Sequence, residues 1–140
     1  MAITQSMTSS FKPEVLGGVH DLDTDAIFIA LYTSSATLGA ATTVYTATNE
    51  VITAGGYTAG GIQLTSPVIS LDGTTGICDF ADATWAAATI TARGAMIYNA
   101  TKANRAIAVL DFGSDKSSTG GDFTVIMPAA AAATAIIRVA

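Results

Sequence analysis

The residues best suited to chemistry lie close together near the N-terminus, in the run His20-Asp21-Leu22-Asp23-Thr24-Asp25. Its alternating aspartates resemble the start of a calcium-binding loop, in which carboxylates at every second position bind the ion. Such a loop needs glycine at its sixth position and a bidentate glutamate at its twelfth, and these positions hold Ala26 and Tyr32. We therefore expect a polar turn in which the aspartates bond local backbone amides.

The other residue types used in catalysis are too few or too scattered to predict a site. His20 and Cys78 are the only histidine and cysteine, which excludes a Cys/His zinc set and an internal disulfide. We expect His20 to be buried or bonded within a turn, and Cys78 to be a small core residue. The chain has neither a G-x-S-x-G motif nor a Walker A lysine. Asp79 and Asp82 could form the carboxylate pair of a glycosidase, but the sequence shows no aromatic-lined cleft to accompany them. We therefore expect a protein that is not an enzyme and that has no cofactor or metal.

Several aromatic residues are better suited to contacts than to chemistry. Trp85, the only tryptophan, is expected in the core, although an exposed tryptophan would give a carbohydrate-binding module its stacking surface. The glycine-rich run 55–61 has no basic neighbour for an anion site, and we expect it to place Tyr57 against a neighbouring surface. Tyrosine offers a large contact area at low entropic cost. The predicted partner-interface residues are Phe11, Tyr45 and Tyr57, with packing over the chain's own domain as the alternative.

The composition favours association and argues against several classes of partner. The chain has 140 residues with a net charge of −5, which gives nucleic acid no basic surface to bind. Hydrophobic residues make up 50% of it but charged residues only 12%, against about 25% in ordinary domains. The surface must therefore consist largely of Thr, Ser, Ala and Gly, and such a surface is prone to associate. We predict a homo-oligomer, and a trimer is one candidate for its size.

The sequence predicts no contact with a membrane. No apolar stretch approaches the ~20 residues that span a bilayer. Residues 1–6 also lack the basic and apolar regions of a signal peptide. We expect synthesis in a cytoplasm.

The chain divides into an N-terminal arm and one domain. Residues 1–10 are polar and predict an extended arm, and residues 11–140 predict a single domain. Within that domain, residues 34–61 predict a long loop containing glycine and tyrosine. A loop of this length is uncommon in a compact domain and tends to be functional or to pack on something.

Only one helix is predicted, a short one at residues 11–16. Ser10 can cap its N-terminus, and Gly17-Gly18 stops it. The next element, residues 25–33, has apolar side chains on both faces, as is typical of a strand that lies centrally or under a partner.

The rest of the chain predicts short strands separated by turns. They are expected at residues 62–71, 76–80, 82–85, 89–98, 105–112, 122–127 and 135–139. Residues 113–121 are expected to form a polar loop. Strands at this spacing without intervening helices are typical of an antiparallel fold. The predicted fold class is all-β, a single antiparallel β-sandwich that is jelly-roll-like, with one short N-terminal helix.

Short sequence phrases spread over residues 9–113 resemble a family of small structural proteins of tailed bacteriophages. They include Leu16-Gly17-Gly18-Val19-His20, Ile29-Ala30-Leu31-Tyr32-Thr33, Gly56-Tyr57-Thr58-Ala59-Gly60-Gly61, Gly94-Ala95-Met96-Ile97-Tyr98-Asn99 and Val109-Leu110-Asp111-Phe112-Gly113. The resemblance implies a component of the virion, made in the host cytoplasm. It leaves the position in the virion open.

Within the virion, the leading interpretation is a capsid decoration (cement) protein that binds the major capsid protein. Symmetry repeats each weak contact many times, so avidity supplies what a single interface lacks. The first alternative is a tail, neck or fibre-base component. A more distant alternative is a carbohydrate-binding or adhesion module.

Overall fold

The computed structural model describes residues 2–140, which form two antiparallel sheets. The larger sheet has five strands, which lie side by side in the order β1 (Ser6–Met7), β7 (Arg105–Val125), β6 (Ala83–Asn99), β2 (Ile27–Tyr32) and β3 (Ile62–Gln63). The smaller sheet has three strands, in the order β4 (Val68–Asp72), β5 (Thr75–Asp79) and β8 (Ile137–Val139). Helix α1 spans Phe11–Leu16, and a 3-10 turn spans Ala100–Lys102. The all-β class is confirmed. Neither helical element in the described chain has the length and apolar character to cross a membrane.

Strand β2 lies at the centre of the packing because both of its faces are apolar. Ile27, Ile29 and Leu31 belong to a core cluster that also contains Cys78 and Ile137 of the smaller sheet. The two sheets therefore share one core, and the expectation that β2 is buried on both faces is confirmed.

The other face of the larger sheet has a second core cluster of its own. Tyr32 of β2 packs there with Ile3 from the N-terminal residues and Leu38 from the long loop. The loop and the start of the chain thus cover the outside of this sheet. β1 also pairs with β7, and Thr8 is fully buried, so the N-terminal arm is bonded to its own domain.

Helix α1 has the predicted bounds but not the predicted cap. Ser10 stands at the N-cap position, yet its side chain makes no capping bond, and its Oγ is buried without a partner. The helix is held instead by Phe11, which is fully buried in the core. It ends at Leu16 with Gly17 as its C-cap, and Gly18 (φ +75°) turns the chain away.

Strands β6 and β7 are longer than predicted, and two expectations were wrong here. The strands expected at residues 82–85 and 89–98 are joined in the single strand β6, which begins at Ala83, and residues 113–121 continue β7 where we expected a loop. The glycines responsible for that loop prediction, Gly113 (φ +82°) and Gly120 (φ +62°), lie where β7 has extra residues opposite β6. Bulges of this kind take up the extra residues without ending the strand pairing.

The predicted strand at residues 62–71 is two strands in different sheets. The expected strand is interrupted at Ser66 (φ +53°) and Pro67, because proline has no N–H to donate to a neighbouring strand. β3 then pairs with β2, and β4 pairs with β5. This break carries the chain from one sheet to the other.

Candidate functional site

All four tyrosines of the chain surround the buried side chain of Glu50. The hydroxyl of Tyr45 donates to Glu50 Oε1 over 2.5 Å, and that of Tyr57 donates to Oε2 over 2.6 Å. The Gly60 N–H donates to the same Oε2, also over 2.6 Å. A buried carboxylate needs such donors to offset the loss of its water. Three neutral groups supply them here. We call Glu50, Gly60 and the four tyrosines Tyr32, Tyr45, Tyr57 and Tyr98 the Glu50 cluster.

The other two tyrosines tie the long loop to the larger sheet. Tyr32 of β2 donates its hydroxyl to the Thr46 carbonyl over 2.5 Å. Tyr98 of β6 donates to the Gly60 carbonyl over 2.6 Å, and its ring stacks on Tyr45 with centroids 4.7 Å apart. The Glu50 cluster therefore fixes the loop against the sheet at both of these strands.

Burial raises the pKa of the Tyr57 and Tyr45 hydroxyls, and their hydrogen bonds to the negative Glu50 raise it further. Burial and the charge of Glu50 raise the pKa of Tyr32 and Tyr98 as well. Each phenol thus stays protonated at neutral pH. The tyrosines of the cluster therefore act as hydrogen-bond donors, and none of them is a tyrosinate base or nucleophile.

Two of the three predicted interface residues lie in the core. Phe11 is 0% exposed and packs against the His20 ring. Tyr57 is 2% exposed, accepts the Leu31 N–H over 2.9 Å and lies 5.9 Å from the Trp85 ring. Neither side chain is on the surface of this structure, because each fills space within its own domain. Tyr45 is the one that remains partly exposed.

Glycine at position 61 explains why Tyr57 points inward. Gly61 has φ +81°, and a Cβ there would lie 1.8 Å from the Ile29 carbonyl oxygen. Only glycine allows the loop to approach β2 so closely. The glycine-rich run therefore brings the loop down onto the sheet, whereas we expected it to extend Tyr57 outward.

His20 has both ring nitrogens occupied. Asn99 Oδ1 accepts the N–H groups of Thr101 and Lys102, which orients its amide nitrogen toward His20 Nδ1 at 3.0 Å. Nδ1 then accepts, and Nε2 donates to Glu14 Oε1 over 3.0 Å. With its side chain 0% exposed, His20 has no nitrogen free to bind a metal or take a proton from a substrate.

Glu14 links this histidine to β7. Its Oε2 accepts from Arg105 over 2.7 Å. Partial burial alone would raise the pKa of Glu14, but the hydrogen bonds from His20 and Arg105 outweigh it and hold the pKa below its usual value. The group fastens α1 to the start of β7.

The aspartate run forms the predicted polar turn. Asp21 Oδ1 accepts the N–H groups of Asp23 and Thr24, and Asp25 Oδ2 accepts the Asp21 N–H. Asp25 also accepts from the Asn99 amide over 2.8 Å. Across residues 2–140, no group of three or more His, Cys, Asp or Glu side chains is placed to hold a metal ion.

Cys78 is buried, and Asp79 and Asp82 each accept a backbone N–H, although the second carboxyl oxygen of Asp79 is buried without a partner. Burial, with the charge of Asp79, raises the pKa of the Cys78 thiol to about 12, so it is not a reactive thiolate. Asp79 is buried, and its Oδ1 accepts the Phe80 N–H. Asp82 accepts the Met127 N–H over 2.7 Å.

Trp85 is in the core as expected. It is 4% exposed and lies edge-on to Phe123 with ring centroids 6.1 Å apart. Its indole face is therefore covered by its own domain. The stacking surface that a carbohydrate-binding module would need is not offered by this residue.

The stretch of chain between Asp25 and Asp72 contributes no charge to the surface. Glu50 is the only charged residue among residues 26–71 and it is buried. The same segment exposes five large apolar side chains, those of Val44, Ile52, Val68, Ile69 and Leu71. We call residues 26–71 the uncharged segment. The scarcity of charged residues in the whole chain is thus greatest in this one continuous segment.

Our sequence reasoning missed Glu50. The signal was present, because a single acidic residue in a long uncharged stretch that contains three of the four tyrosines needs a structural reason.

Comparisons of the chain with protein-family models, curated proteins and solved structures gave no match.

Proposed function

We propose that this chain is a non-enzymatic structural protein of a tailed-phage virion, and that it acts as a capsid decoration protein bound to the major capsid protein. The uncharged segment carries this proposal. A segment that contributes no charge to the surface and exposes apolar side chains is suited to contact with another protein, since few of its own ions must be desolvated when it is covered. The resemblance of the sequence phrases to structural proteins of tailed phages supports a place in the virion, without distinguishing capsid from tail.

The burial and the hydrogen bonds of the polar residues support a role without catalysis. His20, Cys78 and the Glu50 cluster are the groups whose chemistry would otherwise suggest a site. His20, Cys78 and Glu50 are buried, and hydrogen bonds or packing hold each of them in the fold. The chain therefore devotes its reactive residue types to holding a rigid shape, as a binding module requires.

The finer fold belongs to the same proposal. We place the two sheets face to face as a jelly-roll-like sandwich, because Cys78 and Ile137 of the smaller sheet pack in one cluster with Ile29 of the larger. A sandwich of this kind offers its loops and outer faces to a partner while its core stays closed.

Reassembly of the particle tests the position in the virion. The virion that contains this protein would be dissociated, stripped of it and incubated with the purified chain. We expect the chain to sediment with empty shells and to follow icosahedral symmetry in electron cryomicroscopy. Binding to tails or necks alone, with rotational or helical symmetry, would overturn the capsid assignment in favour of the tail alternative.

A matched pair of variants tests the uncharged segment. Ile52 and Ile126 are both 76% exposed, but only Ile52 lies in that segment. Ile52→Asp is expected to weaken shell binding at least tenfold, and Ile126→Asp is expected to leave it unchanged. Equal binding by both variants would remove the support that the uncharged segment gives to the proposal.

A further inference from the structure

Strand β4 is an unprotected edge of the smaller sheet. Within residues 2–140 it pairs with β5 alone, and all five of its residues are exposed. Edge strands are usually protected by lysine, proline or a bulge. β4, with the sequence VISLD, has none of these, and its pairing with β5 is regular. Its free N–H and C=O groups are therefore able to pair with a further strand.

The core-facing side of β4 is apolar and uncovered. Ile69 lies opposite Cys78, which lies opposite Ile137, so Ile69 and Leu71 share the face that the core packs on. They are nevertheless 55% and 72% exposed. A groove between α1 and the smaller sheet continues this face, lined in part by Val15 and Val139. The core face thus extends beyond the part of the molecule that covers it.

We propose that β4 pairs with β4 of a second copy of this chain, antiparallel and about a two-fold axis at Ser70. In that register Ile69 lies beside Leu71 of the second copy, and the reverse contact is identical, as a two-fold interface requires. The two smaller sheets join into one sheet of six strands. The exposed apolar residues of both copies then meet on one face.

The charge distribution of the chain favours this edge for contact with a second copy. Each chain has a net charge of −5, so most pairs of surfaces bring like charges together. β4 is uncharged except for Asp72, and in the proposed register each Asp72 lies across from Val68 of the other copy. The two carboxylates are then separated by four residue steps, about 14 Å, which exceeds the Debye length of about 10 Å in ordinary buffer.

This pairing is a property of the isolated chain and does not depend on where the protein acts. Ile69 and Leu71 belong to the uncharged segment and would be covered by the pairing, whereas Val44 and Ile52 lie outside β4 and stay free to contact a shell. Failure of the pairing would leave the virion assignment untouched, because that assignment is tested by shell binding and by Ile52. Likewise, a protein that binds no shell could still pair through β4.

Sedimentation velocity on the purified full chain, from micromolar to millimolar concentration, tests the pairing. We expect a dimer, and we expect Leu71→Lys to raise its dissociation constant at least tenfold. Ile126→Lys is the control, since Ile126 is as exposed as Leu71 but lies outside β4. A wild-type monomer at millimolar concentration, a trimer, or equal dimerisation of both variants would overturn the proposal.

A cysteine at the axis tests the register itself. In a Cys78→Ala background, Ser70→Cys places two thiols across the two-fold axis, where facing Cα atoms lie about 4.5–5.5 Å apart, within the range of a disulfide. Mild oxidation is expected to yield a covalent dimer. Thr91→Cys, on the exposed side of β6, serves as the control. Cross-linking of Ser70→Cys no faster than that of Thr91→Cys would contradict the register.

Discussion

The Tyr57 hydroxyl donates to Glu50 Oε2 over 2.6 Å, and both side chains are buried. The same hydroxyl accepts the N–H of Leu31 in β2. Glu50 and Tyr57 belong to the long loop, so this pair joins the loop to the centre of the larger sheet. The shape of the uncharged segment depends on the bond, because that segment includes the whole loop.

Replacing Glu50 with glutamine is expected to destabilise the fold by about 2–3 kcal/mol. The amide has one acceptor oxygen where the carboxylate has two. With that oxygen toward Tyr57 and the Gly60 N–H, its NH₂ group takes the place of Oε1, so the Tyr45 hydroxyl must change from donor to acceptor. The bonds that remain also lose the strength that the carboxylate charge gives them. Urea unfolding followed by circular dichroism measures the change. Asp122→Asn is the control, since Asp122 is exposed and accepts only a 3.4 Å bond from Ala87. A loss below about 0.5 kcal/mol for Glu50→Gln, the usual range for surface changes, would contradict the structural role of the cluster.

Two tyrosine variants are expected to differ in cost. Tyr57→Phe removes the bond to Glu50 and leaves the buried Leu31 N–H without a partner, at a cost of about 2 kcal/mol or more. Tyr98→Phe removes only the bond to the Gly60 carbonyl, at about 1 kcal/mol. Thermal melts of the two variants give the order. Equal or reversed costs would show that the Leu31 bond contributes little.

Alkaline pH is expected to unfold the protein. Burial raises the pKa of all four tyrosines in the folded state above the ordinary value of about 10. A raised folded pKa contributes stability that is complete below pH 10 and is lost as the pH rises above it, because the unfolded chain then binds fewer protons. Tyrosinate absorbance and urea titrations would follow the two processes together. Gradual ionisation of all four tyrosines near pH 10 in a folded protein would contradict this expectation.

The sequence was sufficient to predict the elements whose pattern is local. The two-faced apolar alternation of β2, the helix at residues 11–16 and the turn at the aspartate run all follow from neighbours in the chain. Glycine and polar residues at 113–121 misled the same reasoning. Their pairing with β6 depends on bulges, and bulges are specified by the partner strand as much as by the residues themselves.

The Glu50 cluster was not predictable by local reasoning for a related reason. Glu50 and Tyr57 are close in sequence, but their meeting point is set by β2 and β6, which supply Leu31, Tyr32 and Tyr98. Aromatic residues in a long loop are compatible with an exposed contact or with packing on the sheet. The choice is made by Gly61, whose approach to Ile29 becomes visible only once the strand positions are known.

Gly61→Ala is expected to be the most disruptive small substitution in the loop. At φ +81° an alanine is strained by about 1–2 kcal/mol, and its Cβ would also lie 1.8 Å from the Ile29 carbonyl oxygen, which belongs to the backbone of a central strand. The loop or β2 must shift, so we expect a loss of at least about 3 kcal/mol. Gly120→Ala is the matched control, because Gly120 has φ +62° with nothing within 4 Å of its added Cβ. It should cost only the strain, about 1 kcal/mol. Unfolding free energies that are equal for the two variants would mean that the loop does not rest on β2 as closely as the structure places it.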